Sequence, residues 1–436
     1  MTKRKRLHKI ELQIRIIIFI RRKYFMNTWK KIALSSVSLI ALASLAACGN
    51  SKGSESTTSS SSDAKDHKGA VTLWVDPANV ASYKDLIKNF NKEYPNIKVT
   101  VTQSPNGSAN AKQDVSKDPG QAADVFKVPN DQLGAMAEAG YINPLSPSAT
   151  DWVKSNDISI AVDAVSWKGK LYAYPQDEQS NIVYYNKAKF SEAPKDWADF
   201  TAETPIGTDF TNSYNWYPVF LANGTQLFGK DGETVDGTDA NTKAGVQAMT
   251  WFAQQKANPG VKQSGTALLA DLKSGKTQAI LDGPWDGSTV KEILGDNFGA
   301  TTLPTADFGS GSKQMQAFSG VGTLAVNSQS EDPVAASALA QYLSNTESQL
   351  ALYKANNAIP VSKEAQKDSE VAKDPVALAV IKQVENDTLM PKMPQMATFW
   401  NLAAPLIENA YTGKTPATQY QAQLDNFVKS ISSATE

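Results

Sequence analysis

Arginine, histidine and cysteine are almost absent from this chain. No Arg follows Arg22, the two His residues are His8 and His67, and the only Cys is Cys48. Both His residues lie outside the region whose sequence predicts a folded body. These counts exclude a Ser-His-Asp triad, a Cys-His pair, a His or Cys zinc site and an internal disulfide. We therefore predict no metal site and no catalytic residues of these types. Since no glycine-rich dinucleotide fingerprint is present, no cofactor is expected either.

Positive charge is scarce outside the N-terminal leader. The 436-residue chain has a net charge of −1, with 43 Lys and Arg against 44 Asp and Glu. Residues 1–47 hold eleven of these bases and one acid, which leaves 32 bases and 43 acids, a net charge of −11, in residues 48–436. Such an acidic body lacks the basic surface that binds phosphates, so nucleic acid is not expected as a partner. The absence of guanidinium groups from this body also favours a neutral ligand.

Residues 1–47 are predicted to be an export leader. A short basic region follows Met26, and an uncharged apolar stretch runs from residue 32 to residue 47. This stretch is shorter than the roughly 20 residues of a spanning helix, which favours a signal peptide over a transmembrane anchor. The sequence Leu-Ala-Ala-Cys at 45–48 resembles the lipobox of bacterial lipoprotein precursors and implies lipid attachment at Cys48. Met26 is the favoured translation start, and Met1 with a long basic region is the alternative.

Two regions follow the leader. Residues 48–69 are predicted to be the lipidated Cys and a disordered tether, because Ser, Gly, Thr, Lys and Asp bury little apolar surface. Residues 70–436 are too many for one hydrophobic core, so two lobes are expected. Strand patterns at 71–75, 97–101 and 124–128 alternate with helix patterns at 83–94 and 132–139. This alternation predicts an α/β fold with a largely parallel sheet and a ligand site at the carboxyl ends of its strands.

Aromatic residues are plentiful and unusually placed. Residues 48–436 contain eight Trp and thirteen Tyr, and several lie beside Pro, Gly, Asp or Asn in the segments 213–218, 282–286 and 394–401. An aromatic side chain in a polar turn is poorly placed for a core, but it can present a flat apolar face in a cleft. Sugar rings have apolar C–H faces and a rim of hydroxyls. We interpret the segments as parts of a sugar-binding cleft, with core packing as the alternative for each aromatic taken singly.

Six short segments carry a resemblance to a known family. They are residues 71–74, 123–126, 167–175, 183–187, 282–285 and 390–400. In this order they resemble the bacterial extracellular solute-binding proteins for sugars, and most closely the maltose/maltodextrin-binding proteins of ABC importers. The Gly-Lys-Leu-Tyr-Ala-Tyr-Pro sequence at 169–175 and the Tyr-Asn-Lys sequence at 185–187 are typical of the wider family. The Pro-Gln-Met…Phe-Trp segment ending at residue 400 indicates the maltodextrin branch.

The resemblance implies a periplasmic-binding-protein-like α/β fold. It has two hinge-connected lobes and an interlobe ligand cleft. The first lobe is expected to comprise residues 70–177 plus 324–371, and the second residues 182–318 plus 376–436. Ligand lies between the lobes, which close on it by a hinge motion. A monomer is expected.

The resemblance also implies aromatic sugar contacts. Trp285 and Trp400 match family aromatics that stack on glucosyl rings. Tyr214, Trp216 and Tyr217 fall in a third aromatic segment of the family. All five are therefore expected to bind sugar.

Polar sugar contacts are implied at five further positions. Asp131 falls where the family has an acid that binds sugar hydroxyls. Gln179 aligns with a cleft Glu, so either this amide or the neighbouring Glu178 is expected to serve. Asp76 and Asn79 occupy the first strand-to-helix loop, where family members place polar ligands.

The implied function is that of a lipid-anchored substrate-binding subunit of a carbohydrate ABC transporter, not an enzyme. It would sit on the extracellular face of the cell membrane through Cys48, in a Gram-positive host, and deliver maltose or maltodextrin to a permease. No ATPase motif is present, so the ATPase would be a separate chain. Alternatives are a binding protein for another oligosaccharide or a polyol, a surface glycoside hydrolase using two acids, and an adhesion or sensor lipoprotein.

Overall fold

The computed structural model describes residues 65–433. The predicted leader, the lipidation of Cys48 and most of the predicted tether lie outside the described residues. Between residues 65 and 433, no helix is both long enough and apolar enough to cross a membrane.

Sixteen strands are found in the described residues. In chain order they are β1 Gly69–Val75, β2 Ile97–Gln103, β3 Val125–Pro129, β4 Ser166–Trp167, β5 Lys170–Leu171, β6 Ala173–Gln179, β7 Ile182–Asn186, β8 Ile206–Thr208, β9 Val261–Gln263, β10 Ala279–Asp282, β11 Phe298–Thr301, β12 Thr305–Asp307, β13 Ser312–Gln314, β14 Phe318–Val326, β15 Ile359–Pro360 and β16 Thr388–Leu389.

Fifteen α-helices accompany the strands in the same part of the chain. They are α1 Val80–Glu93, α2 Ala111–Lys117, α3 Leu133–Glu138, α4 Pro147–Asn156, α5 Ser159–Ala164, α6 Ser213–Trp216, α7 Pro218–Ala222, α8 Lys243–Gln255, α9 Leu268–Lys273, α10 Gly287–Leu294, α11 Pro333–Leu343, α12 Thr346–Asn356, α13 Pro375–Val384, α14 Met396–Thr412 and α15 Tyr420–Ser432.

The first lobe is built on the larger sheet. Its strand order is β15-β6-β14-β3-β1-β2, and β16 pairs with the start of β14. The pairs β1–β2 and β1–β3 are parallel, but β14 is antiparallel to both β3 and β6, and β15 is antiparallel to β6. The prediction of a largely parallel sheet is therefore wrong for this half of the sheet. The physical reason for the antiparallel pairing is the path of the chain. Strand β6 leads out of the first lobe, and strand β14 leads back into it, so the two strands run in opposite directions.

The second lobe contains a five-stranded sheet of order β11-β7-β10-β8-β9. Strands β8, β9 and β10 are parallel, whereas β7 is antiparallel to both β10 and β11. Its main core is rich in aromatic rings, among them Trp197, Phe210, Trp216, Trp251 and Phe252. The core of the first lobe is more aliphatic and includes Val71, Leu73, Val125 and Leu324.

The chain passes between the lobes more than once. Residues 180–181 join β6 of the first sheet directly to β7 of the second. Strand β14 starts at Phe318, which belongs to the core of the second lobe, and continues to Leu324 in the core of the first. Residues 361–374 then lead from β15 to α13. This two-lobed fold with linking strands confirms the predicted fold class, while the residue boundaries given above for the lobes stay a prediction.

Helix patterns explain several of these elements. Tyr83, Leu86 and Phe90 form the buried face of α1, at the spacing expected for an amphipathic helix. Asp332 and Asp374 each precede a proline and accept a backbone hydrogen bond, so they act as N-caps of α11 and α13.

The folded body includes residues that the sequence analysis assigned to the tether. Strand β1 starts at Gly69, and His67 Nε2 lies 2.8 Å from Asp332 Oδ1. His67 and Gly69 were expected to belong to the tether, outside the folded body. Their contacts instead place the end of this segment on the first lobe, because β1 extends further toward the N-terminus than its apolar pattern indicates.

Candidate ligand-binding site

A cleft between the two lobes contains two adjoining cavities of about 490 and 380 Å³. Both are lined by Ala109, Pro129, Gln179 and Trp285, so they form one continuous groove. The larger cavity is mainly apolar and the smaller one is more polar. A groove of this shape with a few convergent polar groups is typical of a ligand site.

Trp285 is the most exposed aromatic side chain of the cleft. It lies in the short 3-10 helix Pro284–Asp286 after β10 and is 47 % exposed, which is unusual for a large apolar residue. Its ring lies over Gly283, where a Cβ atom would come within 2.2 Å of the ring. The ring centroid also lies 6.3 Å from that of Tyr214, with the two rings tilted by 51°. The second lobe therefore presents a held, accessible aromatic face.

Trp400 and Asp131 meet across the cleft. Trp400 lies in the first turns of α14, not in a turn as its neighbours indicated, and its Nε1 donates to Asp131 Oδ2 at 2.9 Å. Asp131 Oδ1 is buried and has no hydrogen-bond partner among residues 65–433. Burial raises the pKa of Asp131 to about 6, although the bond from Trp400 lowers it. The free oxygen can accept a hydrogen bond from a ligand.

Trp216 and Tyr217 do not reach the cleft. Both are 0 % exposed in the aromatic core of the second lobe, and the Trp216 Nε1 donates to Thr208 Oγ1 at 2.9 Å. The prediction that these two residues bind sugar is therefore corrected to a packing role. Only Tyr214 of this segment lines the cavity. The reason is helical spacing, because residues 213–216 form α6 and its successive side chains point in different directions.

Asp76 and Asn79 line the smaller cavity, as does Glu178. Asp76 follows β1 and accepts bonds from the backbone and the hydroxyl of Ser108, both at 2.7 Å. These bonds fix the loop at the carboxyl end of β1, where a parallel sheet places its ligands.

Glu178 is buried in an unusual setting. It is 1 % exposed, and its Oε1 has no partner within the described part of the chain. Burial, together with the smaller effect of the nearby Asp387, raises its pKa to about 8. Asp387 accepts hydrogen bonds from Ser180 Oγ at 2.5 Å and from the Ala317 backbone N–H at 2.7 Å. It thus connects the link between β6 and β7 to the residue that precedes β14. The raised pKa favours the neutral form of Glu178 at pH 7.

Glu178 should make stability depend on pH. An acid whose pKa is raised by folding stabilises the protein fully below its unfolded pKa, and this contribution is lost as pH rises toward about 8. Glu178→Gln removes the titration, so we expect the variant to gain stability relative to wild type at pH 8 compared with pH 5. Thermal unfolding at both pH values tests this. Glu203→Gln, at an exposed site, is the control, and an unchanged pH dependence in the Glu178 variant would contradict the assignment.

Several cleft residues were missed by sequence reasoning. Lys127 and Asp177 form a buried ion pair that lines the smaller cavity. Burial lowers the pKa of Lys127, but the attraction of Asp177 and its neighbours raises it overall. A lysine within the strand pattern 124–128 was a signal for a buried charge, but nothing in the sequence named its partner. The larger cavity also has a methionine wall, formed by Met390, Met393 and Met396.

The sequence profile described as "Bacterial extracellular solute-binding protein" matches residues 85–379, more than half of the chain. The chain belongs to this family. The predicted resemblance is thereby confirmed, as is the prediction that this solute-binding protein is not an enzyme. Membership of a family of solute-binding proteins argues against the glycoside hydrolase alternative.

Several relatives of this solute-binding protein are named for the sugars that they bind. The "Maltooligosaccharide ABC transporter solute-binding lipoprotein" of Streptococcus pneumoniae strain R6 is 28 % identical over 80 % of this chain and 85 % of its own. The "Galactooligosaccharide-binding protein" of Bacillus subtilis strain 168 is 27 % identical over 80 % and 86 %. Among solved structures, "Maltodextrin binding protein MalE1 from L. casei BL23 without ligand" is 58 % identical, with a TM-score of 0.80 over 84 % of this chain and 100 % of that one.

Proposed function

We propose that this solute-binding protein binds linear α-1,4-glucans in its interlobe cleft. The observation that carries the proposal is the division of the cleft: the second lobe supplies Trp285, Tyr214 and Trp400, and the first supplies Asp131. Sugars need both kinds of surface, since ring faces stack on aromatics and hydroxyls bond to polar groups. The 58 % identity with a maltodextrin-binding protein supports the same ligand.

We assign the site residues as follows. Trp285 and Trp400 stack on glucosyl rings, with Tyr214 beside Trp285. Asp131 and Gln179 accept or donate hydrogen bonds to hydroxyls, and the smaller cavity adds polar groups from Asp76, Asn79 and Glu178.

Calorimetric titration of residues 49–436 with maltose, maltotriose, longer maltodextrins and galacto-oligosaccharides tests the ligand. We expect saturable one-to-one binding of α-glucans at about micromolar affinity, near −8 kcal/mol, with a change in Trp fluorescence. Binding of galacto-oligosaccharides in preference would transfer the assignment to that class, which the relative from Bacillus subtilis represents. No heat and no fluorescence change with any α-glucan would reject the proposal.

We also propose that Cys48 carries a lipid that holds the protein on the outer face of the membrane, where it delivers ligand to a permease. The lipobox sequence at 45–48 supports this, as does the lipoprotein name of the pneumococcal relative. Cys48→Ser should release the protein into the medium of cells that express it. Immunoblots of membrane and medium fractions measure this, and a variant that stays with the membrane would contradict the anchor.

A further inference from the structure

A buried polar network forms one wall of the smaller cavity. The Lys127 ammonium donates to Gln176 Oε1 at 2.7 Å and to Asp177 Oδ2, and Tyr83 also donates to Gln176 Oε1. Gln176 Nε2 in turn donates to the Leu343 carbonyl at 2.9 Å. The network therefore ties β3 and β6 to helices of the first lobe and fixes the position of the ammonium group.

The strand geometry is arranged around Asp177. Opposite β14, the register shifts, so that Gly322 pairs with Asp177 and Thr323 with Pro175. The extra residue is Gln176, and this bulge lets consecutive side chains of β6 both contact Lys127. A Cβ atom at Gly322 would come within 2.5 Å of Asp177 Oδ1, so glycine leaves the space that the carboxylate needs.

The ion pair keeps hydrogen-bonding capacity that it does not use internally. Lys127 is 8 % exposed and Asp177 4 % exposed, and both line the cavity. Among the described residues, two acceptors serve the three N–H groups of Lys127, and each oxygen of Asp177 accepts one bond, from Lys127 or from Gln179 Nε2. A carboxylate oxygen can accept two hydrogen bonds. One N–H group of Lys127 and further acceptor capacity of the Asp177 carboxylate thus remain available to a ligand. They lie beside Gln179, which lines both cavities.

We propose that the Lys127–Asp177 pair determines specificity by binding two neighbouring hydroxyl groups of one sugar ring. One hydroxyl accepts from the ammonium and the other donates to the carboxylate, which suits the C2 and C3 hydroxyls of a glucosyl unit. Asp177 also holds the Gln179 amide in place through a 2.9 Å bond. This inference rests on the proposed function, because it specifies how the same cleft reads an α-glucan.

The test compares binding of maltotriose with binding of analogues that lack the C2, C3 or C6 hydroxyl in all three rings. Wild type should bind the C2- or C3-deoxy analogue at least about 10-fold more weakly than maltotriose. Lys127→Met/Asp177→Leu removes both charges together, which preserves folding better than leaving one unpaired. We expect this variant to bind maltotriose at least about 10-fold more weakly and to distinguish less between maltotriose and the C2- or C3-deoxy analogues.

Two further variants make the result decisive. Asp177→Asn keeps the shape of the side chain and should weaken maltotriose binding in the same direction, with folding checked by thermal unfolding. Asp114→Asn changes a buried aspartate paired with Lys117 at 2.8 Å, which does not line either cavity, and should leave affinity unchanged. Folded Lys127 and Asp177 variants with wild-type affinity and discrimination would overturn the inference. If wild type bound no α-glucan at all, the proposed function itself would fail.

Discussion

Trp285→Ala should weaken maltotriose binding by about 30-fold or more. A stacked tryptophan at the centre of a cleft has the character of a binding hot spot, whose truncation costs about 2 kcal/mol or more. Because the ring is 47 % exposed, its removal leaves no hole in either core. The expected result is a large loss of affinity without a matching loss of thermal stability, measured by calorimetry and by thermal unfolding of the same preparation.

The Trp285 variant has a matched control in Trp152→Ala. Trp152 is partly buried against the core of the first lobe, 6.2 Å from Tyr174 between ring centroids, and lies outside the cleft. Its replacement should lower stability but leave affinity unchanged. If the Trp285 variant kept wild-type affinity for every α-glucan, the stacking role of this residue would be wrong.

Trp216→Ala should destabilise the protein by about 3–5 kcal/mol, the usual cost of truncating a fully buried tryptophan. Its ring lies 4.5 Å from Phe210, 5.7 Å from Trp197 and 5.8 Å from Trp251 between centroids. The substitution also leaves Thr208 Oγ1 without its indole donor. Urea unfolding should therefore show a much lower midpoint for this variant than for wild type.

The affinity of the Trp216 variant separates the two roles of aromatics in this segment. At temperatures where it stays folded, it should bind maltotriose about as tightly as wild type, because Trp216 does not line the cleft. A large loss of affinity with little loss of stability would return Trp216 to the sugar site.

Much of the fold could be predicted from local patterns. The apolar alternation of β1 and β2 and the helical face of α1 are visible in the sequence, because burial dictates their periodicity. The antiparallel pairing of β14 with β3 and β6 could not be seen, since it joins residues about 140–200 positions apart. No local signal specifies which distant strand is the neighbour.

The candidate site, too, could be predicted only where local sequence carried the signal. Aromatics beside Gly and Pro pointed to Trp285, where Gly283 lets the ring fold back over the chain. The same reasoning failed for Trp216, because a short helix turns it into the core. Lys127 and Asp177 were missed because their pairing joins β3 to β6, two strands that β14 separates in the sheet. It also depends on the bulge in β6, which no local pattern indicates.

The long strand β14 has a consequence for how the protein is made. The sheet of the first lobe needs β14 between β3 and β6, so it cannot be completed until the ribosome has synthesised residues 318–326. At ~5–20 residues per second, this is roughly 10–40 s after β3 has emerged. Contacts between such distant segments also form slowly. The sheet of the first lobe would therefore stay incomplete during that interval, so this lobe could not reach its final fold while the chain is still being synthesised as far as β14.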